Sequence, residues 1–184
     1  MGLITARSTD LKRGGSILIR SARPDDAIAL IAHAKVVLQE GIFGVTRVEE
    51  FNMTEATERE WILAHNEAAG DLALVADSDG AIAGLLFFES GPRQRQLHRG
   101  ALHMSVDPRW RGRGVGEAML KVLMEWAKEN PVIEKVGLSV LSSNTRAHGL
   151  YKKLGFVEEG RRPREVKLGK DEYVDEILMF RFVK

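Results

Sequence analysis

The chain contains no cysteine, and that one absence removes disulfides, thiolate metal sites and a cysteine nucleophile together. It also lacks a surplus of either charge. Lys and Arg number 27 against 26 for Asp and Glu, a formal net charge of +1, whereas a dedicated nucleic-acid binder usually carries a larger positive excess. Two basic runs remain, Arg93-Gln94-Arg95 through Arg99 and Arg161-Arg162-Pro163-Arg164, with no nucleic-acid motif beside them. No apolar stretch is long enough to span a bilayer, and the first residues hold no continuous apolar segment of the kind a secretory leader needs. Met1-Gly2 opens the chain, but Ala6 stands where myristoylation requires Ser or Thr. The expected location is therefore cytoplasmic, with neither membrane nor nucleic acid as partner. No cluster of histidines and carboxylates has metal-ligand spacing, so no metal is expected.

What is present fits one soluble globular domain: 184 residues, 44% hydrophobic and 29% charged, enough to bury a core without staples. Residues 1–15 are polar, end in Gly14-Gly15 and show no period, so they read as a loose tail before a single domain over 16–184. Ile17 to Arg20 reads as a strand. Pro24-Asp25-Asp26 begins a helix, since proline suits a first turn and acids suit its dipole. Ile28, Ile31, Ala32 and Leu38 give that helix an apolar face broken by Lys35. Thr54 caps a second helix holding Trp61, Ile62 and Leu63.

Strands follow at Leu72 to Ala76 and Ala81 to Glu89, with a hairpin turn at Asp77-Ser78-Asp79-Gly80, and then at Ala101 to Val106. The most regular segment places Val115, Ala118, Met119, Val122, Leu123 and Trp126 on one helical face and stops at Asn130-Pro131. Val136, Leu138 and Val140 alternate as a strand. Asn144 caps a helix bearing Ala147, Leu150, Tyr151 and Leu154, which Gly155 closes. Phe156 to Val183 reads as two strands joined near Gly169-Lys170-Asp171. This order gives an α+β class, with one mixed sheet and no regular βαβ repeat.

Three alternating glycines, Gly112, Gly114 and Gly116, stand between the Ala101–Val106 strand and the strongest helix. Glycine lets backbone N–H groups approach a ligand closely, and a helix N-terminus adds partial positive charge, so the segment suits a phosphate. Arg111 and Arg113 add cationic side chains. Glycines alone fit a purely structural turn equally well. The segment lacks the Gly-Lys-Ser/Thr ending of a nucleoside-triphosphate loop. It also misses dinucleotide spacing, because the sixth position is Glu117 counted from Gly112 and Met119 counted from Gly114.

Arg111-x-x-Gly114-x-Gly116, preceded by Val106-Asp107-Pro108, resembles the acetyl-CoA signature of the GNAT superfamily of N-acetyltransferases. Asn144 and Ala147-x-x-Leu150-Tyr151-x-x-Leu154-Gly155-Phe156 are similar to its second motif, and the element order matches from about residue 17 onward. The resemblance implies a mostly antiparallel twisted sheet of about seven strands flanked by about four helices. It implies direct transfer of acetyl from acetyl-CoA to a primary amine, on a small molecule or a peptide or protein N-terminus; a serine nucleophile stays open.

By the same resemblance, a bulge in the Ala101–Val106 strand admits the pantetheine, and backbone groups of Met104, Ser105 and Val106 bind it. An N–H of Met104 or Ser105 stabilises the oxyanion. Arg111, Gly112, Arg113, Gly114, Val115 and Gly116 hold the pyrophosphate, and Asn144 also contacts the cofactor. Tyr151 matches the general acid that protonates the departing thiolate. Candidates for the general base are Glu89, His98 and His103, with His33, His65 and His148 on the expected helices ranked lower.

Gly41 to Asn52 and Arg161 to Tyr173 are expected to shape the acceptor site, with Phe43, Glu49, Glu50 and Tyr173 as candidates. The ending Lys170 to Met179 is similar to the ribosomal-protein N-terminal acetyltransferase branch, which also holds enzymes acting on amino acids, antibiotics and polyamines. Homodimers are common among relatives, and Ile177 to Val183 is hydrophobic enough to take part. The alternative reading is a CoA-binding sensor or interaction module without catalysis, against which the retained Tyr151 argues.

Overall fold

The computed structural model describes residues 2–184. Along it run β1 (Arg7–Asp10), β2 (Ser16–Ser21), α1 (Ala27–Leu38), α2 (Glu55–Glu67), β3 (Leu72–Ser78), β4 (Ala81–Ser90) and β5 (Arg99–Val106). Then follow α3 (Val115–Glu129), β6 (Lys135–Leu141), α4 (Thr145–Lys153), β7 (Val157–Gly169) and β8 (Glu172–Phe182). The eight strands form one sheet in the order β1-β2-β3-β4-β5-β6-β8-β7. Only β5 and β6 pair in parallel.

Both faces of the sheet are covered, and the sequence of β3 shows why. Leu72, Leu74 and Ala76 join α3 residues Met119, Leu120 and Leu123 in one core. Ala73 and Val75 face the other way, against Ala27 and Leu30 of α1 and Ile62 of α2. A strand buried on both sides reads as a continuous apolar run, as this one does. Asp79 (φ 52°) and Gly80 (φ 88°) make a two-residue turn to β4 in which both residues are left-handed, which matches the twist of a hairpin. Thr54 caps α2 as expected, its hydroxyl accepting from the Thr57 amide at 3.2 Å.

Two expectations need correction. The first fifteen residues are not a loose tail: β1 pairs antiparallel with β2 from Arg7↔Ile19 to Asp10↔Ser16, which makes the sheet eight-stranded. Leu11 is buried, and Arg7 pairs with Glu125 on α3. The face of α1 is also different. Ala27, Leu30 and His33 are buried, while Ile28 is 64% exposed, because an apolar composition all round the helix left its orientation to tertiary packing. β8, which carries the hydrophobic stretch beginning at Ile177, is paired on both sides, by β6 and β7.

One buried ionic group ties the N-terminal half together. Arg20 on β2 donates to both carboxylate oxygens of Asp26 at 2.7 and 2.8 Å, and to Asp77 at the end of β3 at 2.9 and 3.0 Å. The three side chains are only 8%, 12% and 15% exposed, so removing the cation strands two carboxylates. Arg20→Ala is expected to cost about 3–5 kcal/mol, measured as a shift in urea midpoint. Burial works to raise the Asp26 pKa, but hydrogen bonds from Arg20 and the Arg23 amide outweigh it, leaving a value below the ordinary 3.8. Its contribution is therefore complete above pH 3.8 and is lost as pH falls through the lower folded value.

Candidate active site

β5 is bonded fully on one side and barely on the other. Its ladder with β4 is unbroken from Gly100↔Ser90 to Val106↔Gly84, so the bulge expected there is not seen against β4. With β6 it pairs only at Arg99, Gly100 and Ala101. Meanwhile β8 holds β6 along its whole length, from Lys135↔Phe182 to Leu141↔Glu176. Beyond Ala101 the two parallel strands have no register pairs, and a gap opens between them.

Alternation decides what faces that gap. The Gly91 amide donates to Arg99 O at 2.8 Å and the Asp107 amide to Ala83 O at 3.0 Å, which turns the backbone groups of odd-numbered β5 residues toward β4. Those of Leu102, Met104 and Val106 then point to the β6 side. The Val106 carbonyl accepts from Arg111 Nε at 2.9 Å. Of the two amides expected as oxyanion donors, Met104 N–H is therefore the one directed into the gap, and Ser105 N–H is spent on β4.

The glycine loop follows β5 directly. Gly112 (φ 77°) and Gly114 (φ 99°) are left-handed, and Gly114 is the N-cap of α3 without any side-chain cap. The first intrahelical bond runs from the Ala118 amide to Gly114 O at 2.9 Å, so the amides of Val115, Gly116 and Glu117 have no partner within the helix. A Cβ on Gly116 would come within 3.2 Å of Met104 Cε and 3.6 Å of Leu150 Cδ2. A larger residue there would narrow the passage between β5 and α4.

The cations around this loop are more than the expected two. Arg111 lines the same cavity as the glycines, with its guanidinium donating to Glu40 through two hydrogen bonds of 2.5 and 2.8 Å. Arg113 lies over Trp110, 5.0 Å from the ring. The basic groups near the glycines are Lys12 and Arg13, brought by the turn between β1 and β2, and Arg146 at the start of α4. The Lys12 amide donates to Arg113 O at 2.9 Å, fastening that turn to the loop. Lys12, Lys121 and Lys153 surround Glu117, and hydrogen bonds from Lys12 and Lys153 hold its carboxyl near pKa 2, a permanent anion.

Gap, loop and α4 border one cavity of about 760 Å3. Asn144 and Tyr151 both line it. Asn144 Oδ1 accepts from the Ala147 amide at 3.1 Å and so caps α4. Tyr151 is 5% exposed and packs edge-on to Phe156, with centroids 5.9 Å apart. Burial pushes its phenol up to about pKa 12, so it keeps its proton throughout the neutral range.

On the opposite side of the sheet, Leu85, Phe87, His103 and Ser105 line the cavity with Val37, Leu38 and Phe43. His103 stacks on Phe87, with centroids 4.7 Å apart and planes at 16°. The other base candidates fall elsewhere. Glu89 is half exposed, lies 3.3 Å from His65 Nε2 and does not line the cavity. His98 is exposed in the turn before β5. Gly41 to Thr46 supply part of the lining, as expected of the loop after α1, whereas Glu49 and Glu50 do not reach it. Tyr173 lies beneath Arg164 and Lys167 on the β7–β8 hairpin instead, and Glu176 is that hairpin's contribution. Arg161 and Arg162 pair with Asp175 and Glu176, which neutralises two of the three arginines in the second basic run.

The comparisons agree with this architecture. Residues 40–156 match the acetyltransferase (GNAT) family, and the chain belongs to that family. An N-alpha-acetyltransferase of Sulfurisphaera tokodaii is 30% identical over 177 residues, 90% of this chain and 91% of the relative. An L-amino acid N-acetyltransferase of Escherichia coli is 34% identical over 108 residues, 59% of this chain and 66% of that protein; two further curated relatives are matched over less than a third of their length. Among solved structures, a GNAT-family acetyltransferase from Streptococcus pneumoniae superposes with a TM-score of 0.86 at 28% identity, covering 91% of this chain and 99% of that one.

The loop geometry makes a direct prediction. A Cβ on Gly114 would meet nothing closer than 3.5 Å, so the penalty of Gly114→Ala is conformational, about 1–2 kcal/mol in the urea midpoint. Gly114→Asn is expected to cost less, because asparagine tolerates the left-handed region.

Proposed function

We propose that the chain moves the acetyl group of acetyl-CoA to a primary amine, the α-amine of an L-amino acid or of a peptide. The observation that carries this reading is the gap between β5 and β6, which runs from the glycine loop to Tyr151. Family membership supports it, as do the two relatives named for amino-acid and N-alpha acetylation.

The fit is chemical as well as spatial. The amides of Val115, Gly116 and Glu117, with Lys12, Arg13 and Arg146 close by, suit a diphosphate. The backbone groups of Leu102 and Met104 along the open side of β5 suit the amides of a pantetheine arm, the way an added strand is bound. The bound donor supplies an activated thioester. Met104 N–H is oriented to bind the developing oxyanion, and Tyr151, protonated and 5% exposed, gives its proton to the departing sulfur. The acceptor enters from the α1 side, where Val37, Leu38, Phe43 and Phe87 suit an amine carrying an apolar group.

Calorimetric titration with acetyl-CoA is expected to give saturable one-site binding, and thiol release with a panel of the L-amino acids and short peptides to give turnover. Binding with no turnover on any amine would favour the sensor reading; no binding at millimolar ligand would remove both. Tyr151→Phe is expected to lower kcat roughly 100-fold while acetyl-CoA affinity is kept. Lost affinity at unchanged turnover would take the general-acid role from Tyr151.

A further inference from the structure

His33 has no task in the reaction as described, and packing alone accounts for it poorly. It lies on α1 at 4% exposure, with Nε2 2.8 Å from Ser105 Oγ. Its Nδ1 makes no hydrogen bond of normal geometry among the described residues, although the Ile82 carbonyl lies near enough to the ring to act on it. Leaving a buried polar atom unpaired costs about 1–3 kcal/mol, which an apolar side chain at this position would avoid. Ser105 sits opposite Leu85 on the acceptor side of β5 and lines the cavity, whereas His33 does not. A single hydroxyl thus separates the cavity from a buried imidazole.

We propose that Ser105 and His33 are the proton-accepting pair of the transfer. The acceptor's ammonium gives a proton to Ser105 Oγ as the hydroxyl's own proton passes to His33 Nε2. The ammonium becomes a neutral amine with its lone pair free, Ser105 remains a neutral hydroxyl, and His33 gains one proton and one positive charge, later released to solvent. This inference rests on the acetyl-transfer reading and names its missing base.

The surroundings of His33 favour the task. Burial, the largest influence, lowers its pKa, and Arg111 works in the same direction; Asp107 and the Ile82 carbonyl oppose them without cancelling the shift. The imidazole is therefore neutral at pH 7 and free to accept. Asp107, 2% exposed and held by Arg109, is the countercharge once it has done so. Glu40 occupies Arg111, the opposing cation. The alternative base at the cavity, His103, is stacked on Phe87 and, among the described residues, has no side-chain hydrogen bond to orient its ring.

The test uses the 184-residue chain, acetyl-CoA and the amino acid or peptide turned over fastest in the panel. His33→Gln and Ser105→Ala are each expected to lower kcat about 100-fold, with the calorimetric Kd for acetyl-CoA unchanged. In the wild type kcat/KM rises as pH climbs through the lowered pKa of His33, and both variants lose that acidic limb. Ser105→Thr, which restores the hydroxyl, recovers most of the rate. If His33→Gln does not fold, the Ser105 pair of variants carries the test alone. The 15N spectrum of His33 is expected to show the neutral tautomer protonated on Nδ1, leaving Nε2 to accept.

Wild-type rates in the variants, a limb that survives in them and vanishes in His103→Gln, a proton resident on Nε2, or acetyl found covalently on Ser105 would each overturn the pair while leaving acetyl transfer in place. A wild type that binds acetyl-CoA and acetylates no amine would overturn both.

Discussion

β5 is bonded to β4 from Gly100 to Val106 but to β6 only from Arg99 to Ala101, while the far edge of β6 is held by β8 from Lys135 to Leu141. The two parallel strands start together and part after three register pairs. An unpaired backbone amide or carbonyl buried without water costs about 1–3 kcal/mol, so such a parting persists only where solvent or a ligand can enter. The rest of the molecule is arranged around that opening. α3 begins at its end, α4 closes one side with Tyr151 and Asn144, and α1 with its following loop closes the other.

The sheet divides the labour. On its α3 side lie the glycine loop, the uncapped helix terminus and the cations, a setting for negative charge. On its α1 side lie Phe87, Leu85, Val37 and Leu38, with His103 and Ser105 as polar groups among them. The two chemistries meet at the open edge of β5, where residue parity sends Met104 one way and Ser105 the other. Each side chain position on that strand is thus fixed by period-2 alternation, and a one-residue slip would exchange the two environments.

Much of this was legible in the sequence because it depends on local signals. The helical face from Val115 to Trp126, the cap at Asn144, the turn at Asp79-Gly80 and the glycine loop all carry their cause within a few residues. The family signature at Arg111 to Gly116 and Ala147 to Phe156 led to the right family. What the sequence concealed depends on partners far along the chain. Arg7 to Asp10 has no apolar alternation, and becomes a strand only because β2 offers an edge. Arg111 reads as a phosphate ligand until Glu40, seventy-one residues earlier, takes its guanidinium. His33 reads as one more helix histidine, since nothing near it in sequence announces Ser105. Lys12 and Arg13 were hidden in the supposed tail, and Glu89 was favoured for its place at a strand end that the cavity does not reach.

The pairing of Arg111 with Glu40 joins two regions with separate occupants. Arg111 belongs to the segment proposed to hold the donor's phosphates and also donates to the Val106 carbonyl; Glu40 opens the loop whose Phe43 lines the side proposed for the acceptor. A displacement of either is felt by the other through one ion pair only 23% exposed on each partner. Thermodynamic reciprocity then applies: any affinity that one occupant adds for the second is returned by the second in equal measure. Under the proposed acetyl transfer this contact would couple the two sites symmetrically, whichever occupant came first.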